Sequence, residues 1–279
     1  MKLFTAKLLI ILVLIPISMI YCWGEQGHKI INHNAIEILP KEMISFEQWK
    51  EYITDHASDA DHRKAIDKTE GVKHYIDIDY YKEFINGNMI ENKKELAAIY
   101  GDSIVTHTGT LPWSTLETFQ NLKQAFKDKN RDRALIYASD LGHYVADGHQ
   151  PMHTVLNYNG QLTGQKGVHA RYEIDMIDRH LDELQKLEEN CDVIHVDDPL
   201  SYIFNYIYAS NSYCIILMNA DKQADSIAGS TDGDKYYDLL WDKTKYVTEL
   251  EFVKGEQALA SLIYTAWVDA GRPKFSDFK

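Results

Sequence analysis

Three histidines and an aspartate fall within LGHYVADGHQPMHT, residues 141–154. Imidazole nitrogens and carboxylate oxygens both ligate zinc at about 2 Å, so the stretch is rich in metal-grade donors. His143 and Asp147 are four residues apart, a spacing that puts both side chains on one face of a helix, about one turn from each other. Pro151 then breaks the helix and lets His153 come back toward the pair. Farther on, VHARYEIDMIDRHL reads as another helix, and its His169 and Glu173 repeat the spacing of four. An inward imidazole and carboxylate on each of two packed helices is a common way for bundles to build metal sites. No thiolate accompanies them, and the mixed nitrogen and oxygen set suits zinc. A single His/Asp pair is more often an exposed hydrogen-bonded couple; two such pairs and His153 together weigh against that reading.

The elements that must carry these residues read as helices. Arg131–Gly148 (RDRALIYASDLGHYVADG) has Leu135, Ala138, Leu141 and Val145 on one apolar face. A helix from Ser114 is expected to begin with a capping box of Ser114 and Glu117, with Leu116, Phe119, Leu122 and Phe126 on one stripe. Near the C-terminus, Leu259, Leu262, Ile263, Ala266, Trp267 and Ala270 recur at helical spacing until Gly271 and Pro273 stop the run. Gly, Asn, Asp and Ser cluster in residues 85–91, 157–168 and 229–235, which read as loops. Alternating strand-like patterns are scarce and no linker divides the chain, so the expectation is one all-α domain.

Composition bounds the setting. The chain has 279 residues, 45% hydrophobic and 25% charged, which is enough to bury a sizeable core. Leu8 to Ile20 (LLIILVLIPISMI) follows Lys2 and Lys7 and reads as the core of a secretory signal, too short for a membrane span of about 20 apolar residues. The expected layout is a signal over residues 1–22 and a mature domain over 23–279, secreted or periplasmic, with Trp23 as the new N-terminus. Lipid anchoring through Cys22 is the competing reading, disfavoured by the bulk of Tyr21. Cleavage removes two lysines and no acid, moving the formal charge from −13 to −15, a surface that repels polyanions unless a local site reverses the sign. Cys191 and Cys214 remain; an exported protein permits them to pair, and a free buried Cys214 in YCIILM is the equal alternative.

Three further stretches complete the pattern: WGEQGH (23–28), SDADHRK (58–64) and KHYIDID (73–79). In order, Trp23, His28, Asp61, His74, His143, Asp147, His153, His169 and Glu173 resemble the ligand series of the superfamily of zinc-dependent phospholipases C and single-strand-specific nucleases of fungi and plants. The likeness runs from Trp23 to Glu173 and centres on H-Y-x-x-D-x-x-Q-P-M-H; the C-terminal third matches only as helices. Asp61 is chosen over Asp59 in SDADH by this alignment alone.

The resemblance implies a single-domain helical bundle with a trinuclear zinc site. Asp61, His74, His143 and Asp147 would hold one ion and His153, His169 and Glu173 a second. His28, a bridging Asp147, and the amino nitrogen and carbonyl oxygen of Trp23 would hold the third, which then forms only after cleavage frees that amine. Three divalent ions outweigh the three carboxylates, so the site would attract phosphate within an acidic protein and ready water for in-line attack. Asp61 is the candidate catalytic residue, orienting or deprotonating that water. The implied partner is a substrate, with no stable protein partner.

Two substrates fit the likeness. W-G-x-x-G-H and H-Y-I-D at 74–77 look like the nucleases, with Tyr75 and Asp77 as candidate contacts to single-stranded nucleic acid. Glu173 at the last ligand position and the short step from His153 to His169 look like the phospholipases, which would take a phospholipid. The leading expectation is an endonuclease, then a phospholipase C, then a non-catalytic protein stabilised by zinc. His33, His56, His62, His107, His149, His180 and His195 are expected to be bystanders, with His149 pointing away from the face of Asp147 and His56 and His62 exposed.

Overall fold

Arg131–Gly148 is the helix around which the rest is arranged, and its bounds coincide with those read from the sequence. The Asn130 side chain accepts from Arg133 N and caps its start, while Pro151 prevents continuation beyond His149. The computed structural model describes residues 23–187 and 192–279; the proposed signal over 1–22, the Cys22 anchor and Cys191 lie outside the described residues. Among the described residues the structure is all-helical, without strands, and forms a single domain. No helix there is long and apolar enough to cross a membrane.

The central helix packs against Gly24–Glu37, Leu111–Lys127 and the two long C-terminal helices Pro199–Ala228 and Asp234–Asp269. Gly142 explains how closely the first of these approaches. A Cβ at Gly142 would lie 2.0 Å from Asn32 Oδ1, so only glycine admits the Asn32 side chain, whose amide donates to Ile53 O and Ser139 O. Away from the site, Phe46, Trp49, Phe126, Phe275 and Phe278 interlock edge to face, tying the C-terminal turn to the bundle.

Three local expectations are corrected. The helix expected from Ser114 begins at Leu111, with Thr110 before it and Pro112 in its first turn; Ser114 lies inside it, its hydroxyl 3.1 Å from that of Thr110. The segment from Val168 is not one regular helix: Val168–Ala170 leads into a π-helical turn, Arg171–Met176, before Ile177–Arg179. The loop expected over 229–235 is shorter, because Asp234–Asp269 already starts at Asp234. Cys214 is buried, and its thiol donates to Pro151 O at 3.0 Å.

Candidate metal centre

His143 and Asp147 project from the central helix into a buried nest of donors drawn from five segments. His28 comes from the first helix, where its ring stacks on His143 at 3.9 Å between centroids. Asp61 comes from the short helix Asp59–Arg63, and His74 follows the turn Gly71–Lys73. His153 lies on the turn Pro151–Thr154, and its ring Nδ1 is 2.6 Å from His74 O while Ile76 N donates to His153 O, so these two segments lock together. His169 and Glu173 flank the start of the π-helical turn, with Nε2 and Oε1 2.9 Å apart.

The spacing of the donors is that of a coordination shell. Asp61 Oδ1 is 3.5 Å from His74 Nδ1 and 3.6 Å from His143 Nε2. Those nitrogens are 2.9 Å apart, and Asp147 Oδ2 lies 3.0 Å and 3.4 Å from them. Tetrahedral ligands about 2.0 Å from an ion sit about 3.3 Å from one another, so the spacings within Asp61, His74 and His143 suit such an ion, with Asp147 Oδ2 beside the two ring nitrogens. Asp59, the alternative to Asp61, is instead half-exposed and paired with His56 at 2.7 Å.

Three sets of side chains converge closely enough to hold a metal: Asp61, His74 and His143; His28, His143 and Asp147; and His153, His169 and Glu173. Asp147 faces two of them. Its Oδ2 meets His74 and His143, while its Oδ1 lies 3.6 Å from His28 Nε2 and 3.5 Å from His153 Nδ1. Asp147 Oδ1, both ring nitrogens of His28 and His169 Nε2 are buried without a hydrogen-bond partner, a costly state that a cation would relieve.

Orientation comes from outside the sets. His143 Nδ1 is 2.8 Å from Ala57 O and His169 Nδ1 is 3.3 Å from Tyr158 O, which places the proton on Nδ1 and leaves Nε2 as a lone pair turned inward. Gln150 Nε2 and Trp23 N both donate to Glu173 Oε2, at 2.8 and 3.1 Å. Trp23 is fully buried against Tyr172 and Phe252, with its indole donating to Ala146 O. Its backbone nitrogen therefore sits beside Glu173, and its carbonyl accepts from Gly27 N.

Electrostatics agree with ligation. Burial would raise the carboxyls of Asp61 and Asp147, but His143 and the neighbouring cations and imidazoles hold both well below the usual range, so they stay ionised. Burial and the proximity of His143 push His28 down to about 3, keeping its imidazole neutral with a lone pair to give.

A cavity of about 550 Å³ opens onto this nest and is lined by His74, His153 and His169 together with Tyr75, Asp77 and Tyr158. Lys64 and Lys68, to which the sequence reading gave no role, also line it, as does His107, which was expected to be a bystander. Lys64 Nζ is 2.6 Å from Asp61 Oδ1. Tyr75 donates to His107 O, and desolvation raises the Asp77 carboxyl to about 6. His62 is exposed as expected, but His56 is half-buried, stacked on Tyr52 and paired with Asp59; His149 is buried, stacked on Tyr206 with Nδ1 2.8 Å from Val145 O.

Comparison with known protein families and with curated proteins found no match for this chain. What can be stated of its class is therefore a helical single-domain protein with buried His, Asp and Glu clusters able to hold metal ions.

Proposed function

We propose that this chain is an exported zinc-dependent phosphoesterase, an endonuclease for single-stranded nucleic acid. The observation that carries the reading is the convergence of three buried donor sets, Asp61, His74 and His143, then His28, His143 and Asp147, then His153, His169 and Glu173, beside a cleft that also holds lysines. The ligand-series resemblance supports zinc as the metal and three as its number. When bound, the ions would supply activated water and neutralise charge developing on phosphorus.

The chain's own residues would do the rest. Lys64 and Lys68 concentrate positive charge at the cleft of a protein whose net charge is −13, which draws a phosphodiester to the site. Asp61, held far toward its ionised form, is a weak base; it would orient the attacking water as a hydrogen-bond acceptor rather than remove its proton. Tyr75 offers a ring face for a base and Asp77 an acceptor beside it. Glu173 at the last ligand position favours the second reading, a phospholipase C acting on a phospholipid headgroup.

The test offers purified mature protein single-stranded DNA, RNA and phosphatidylcholine, with and without chelator. Chelator-sensitive cleavage of nucleic acid is expected. Diacylglycerol release instead would establish the second reading, and no turnover by zinc-loaded protein would leave a zinc-stabilised binding protein.

A further inference from the structure

His74 differs from the other ring donors in the way it faces the nest. His143 and His169 turn Nε2 inward and give Nδ1 to a backbone carbonyl, whereas His74 presents Nδ1 to His143 and Asp147 and directs Nε2 outward. On that outer side the Nε2 atom lies 3.5 Å from Glu70 Oε1. Glu70 is itself buried and is fixed by three donors: Tyr144 Oη, Lys73 Nζ at 2.8 Å and Arg63 Nη2 at 3.5 Å. Arg63 is in turn held by Asp140, with contacts of 3.0 Å from each terminal nitrogen. Asp140 and Tyr144 sit one turn apart on the helix that carries His143 and Asp147, so one rigid element sets both the donors and their outer support.

We propose that Glu70 is the positioning residue of this centre: its carboxylate accepts the Nε2 proton of His74, which fixes the tautomer that leaves Nδ1 free to ligate. A carboxylate in this place raises the basicity of the ring more than the carbonyls that support His143 and His169. The ion held by Asp61, His74, His143 and Asp147 therefore depends on Glu70, and the ion of His153, His169 and Glu173 does not. This inference rests on the metal-centre reading above.

The test uses the full mature chain loaded with zinc, as wild type, Glu70→Gln and Tyr144→Phe, challenged with graded chelator while retained zinc is counted by elemental analysis. Glu70→Gln is expected to weaken retention of a single ion by 10- to 100-fold, with the other ions held as in wild type. Tyr144→Phe, which removes one support of Glu70, should weaken the same ion by less, and it decides the matter if Glu70→Gln does not fold. Nitrogen-15 NMR should report His74 protonated at Nε2 in wild type and a mixture of tautomers in Glu70→Gln. Unchanged retention, or an equal loss of every ion with the His74 tautomer preserved, overturns the role of Glu70 while leaving the metal centre intact. A wild-type chain that holds no zinc overturns both.

Discussion

His74 Nδ1 lies 2.9 Å from His143 Nε2, and Asp147 Oδ2 lies 3.0 Å from the first of these nitrogens. His74 and His143 come from segments 69 residues apart in the chain and are buried. Two ring nitrogens and a carboxylate oxygen share one small volume, and Asp61 Oδ1 lies within 3.6 Å of both nitrogens. A divalent cation held by Asp61, His74 and His143 would satisfy these buried donors.

Asp147 is expected to serve two ions, because its oxygens face different donor sets. Asp147→Asn should therefore lose two zincs together by elemental analysis, whereas His169→Ala should lose one. Loss of a single ion from Asp147→Asn would refute the bridge.

Gly142→Ala places a methyl where Asn32 Oδ1 now sits, 2.0 Å from the new carbon. Overpacking of this kind costs about 1–3 kcal/mol, and at this chain length each kcal/mol lowers the melting temperature by roughly 2–4 °C. A melt of Gly142→Ala within a degree of wild type would show that the first and central helices part easily.

Glu251 gives a pH dependence independent of the metal centre. Burial pushes its carboxyl up to about 8 from the ordinary 4.5. The folded chain then binds more protons than the unfolded chain between those values, so this group's effect is to reduce stability as pH rises from 4.5 to 8 and to add nothing further above that. Glu251→Gln removes the dependence. Its advantage in urea unfolding, with excess zinc throughout, should be near zero at pH 4.5 and reach a few kcal/mol at pH 8, at about 1.4 kcal/mol for each unit of pKa difference. An advantage equal at both pH values would contradict the buried, protonated state.

Tyr75 is expected to stack on a base in the cleft. Such stacking is worth roughly 1–3 kcal/mol, so Tyr75→Ala should raise KM for single-stranded DNA by about 5- to 150-fold with the zinc content unchanged. An unaltered KM would remove Tyr75 from the substrate path.

Much of the fold was readable where local signals agree. The apolar spacing of Leu135, Ala138, Leu141 and Val145, with Pro151 as the stop, gave the bounds of the central helix, while the Asn130 cap emerged only from the structure. Ser114 misled because Ser followed by Glu three residues later imitates a capping box, while Pro112 marked the true first turn. The π-helical turn at Arg171–Met176 carries no local signature in the sequence, although Glu173 within it meets both His153 and His169. The donors were readable because each sits in a short motif of its own. Glu70, Lys64, Lys68 and His107 were not, because their roles exist only once separate segments meet around the cleft. His149 read as a residue facing away from Asp147, which says nothing of the Tyr206 ring that buries it.

The most direct measurement is a zinc-edge anomalous difference map from crystals of the mature chain. A peak about 2.0 Å from each of Asp61 Oδ1, His74 Nδ1, His143 Nε2 and Asp147 Oδ2 is the expected result, with a second beside His153, His169 and Glu173. Zinc-saturated crystals that show these side chains in place and no peak among them would contradict it.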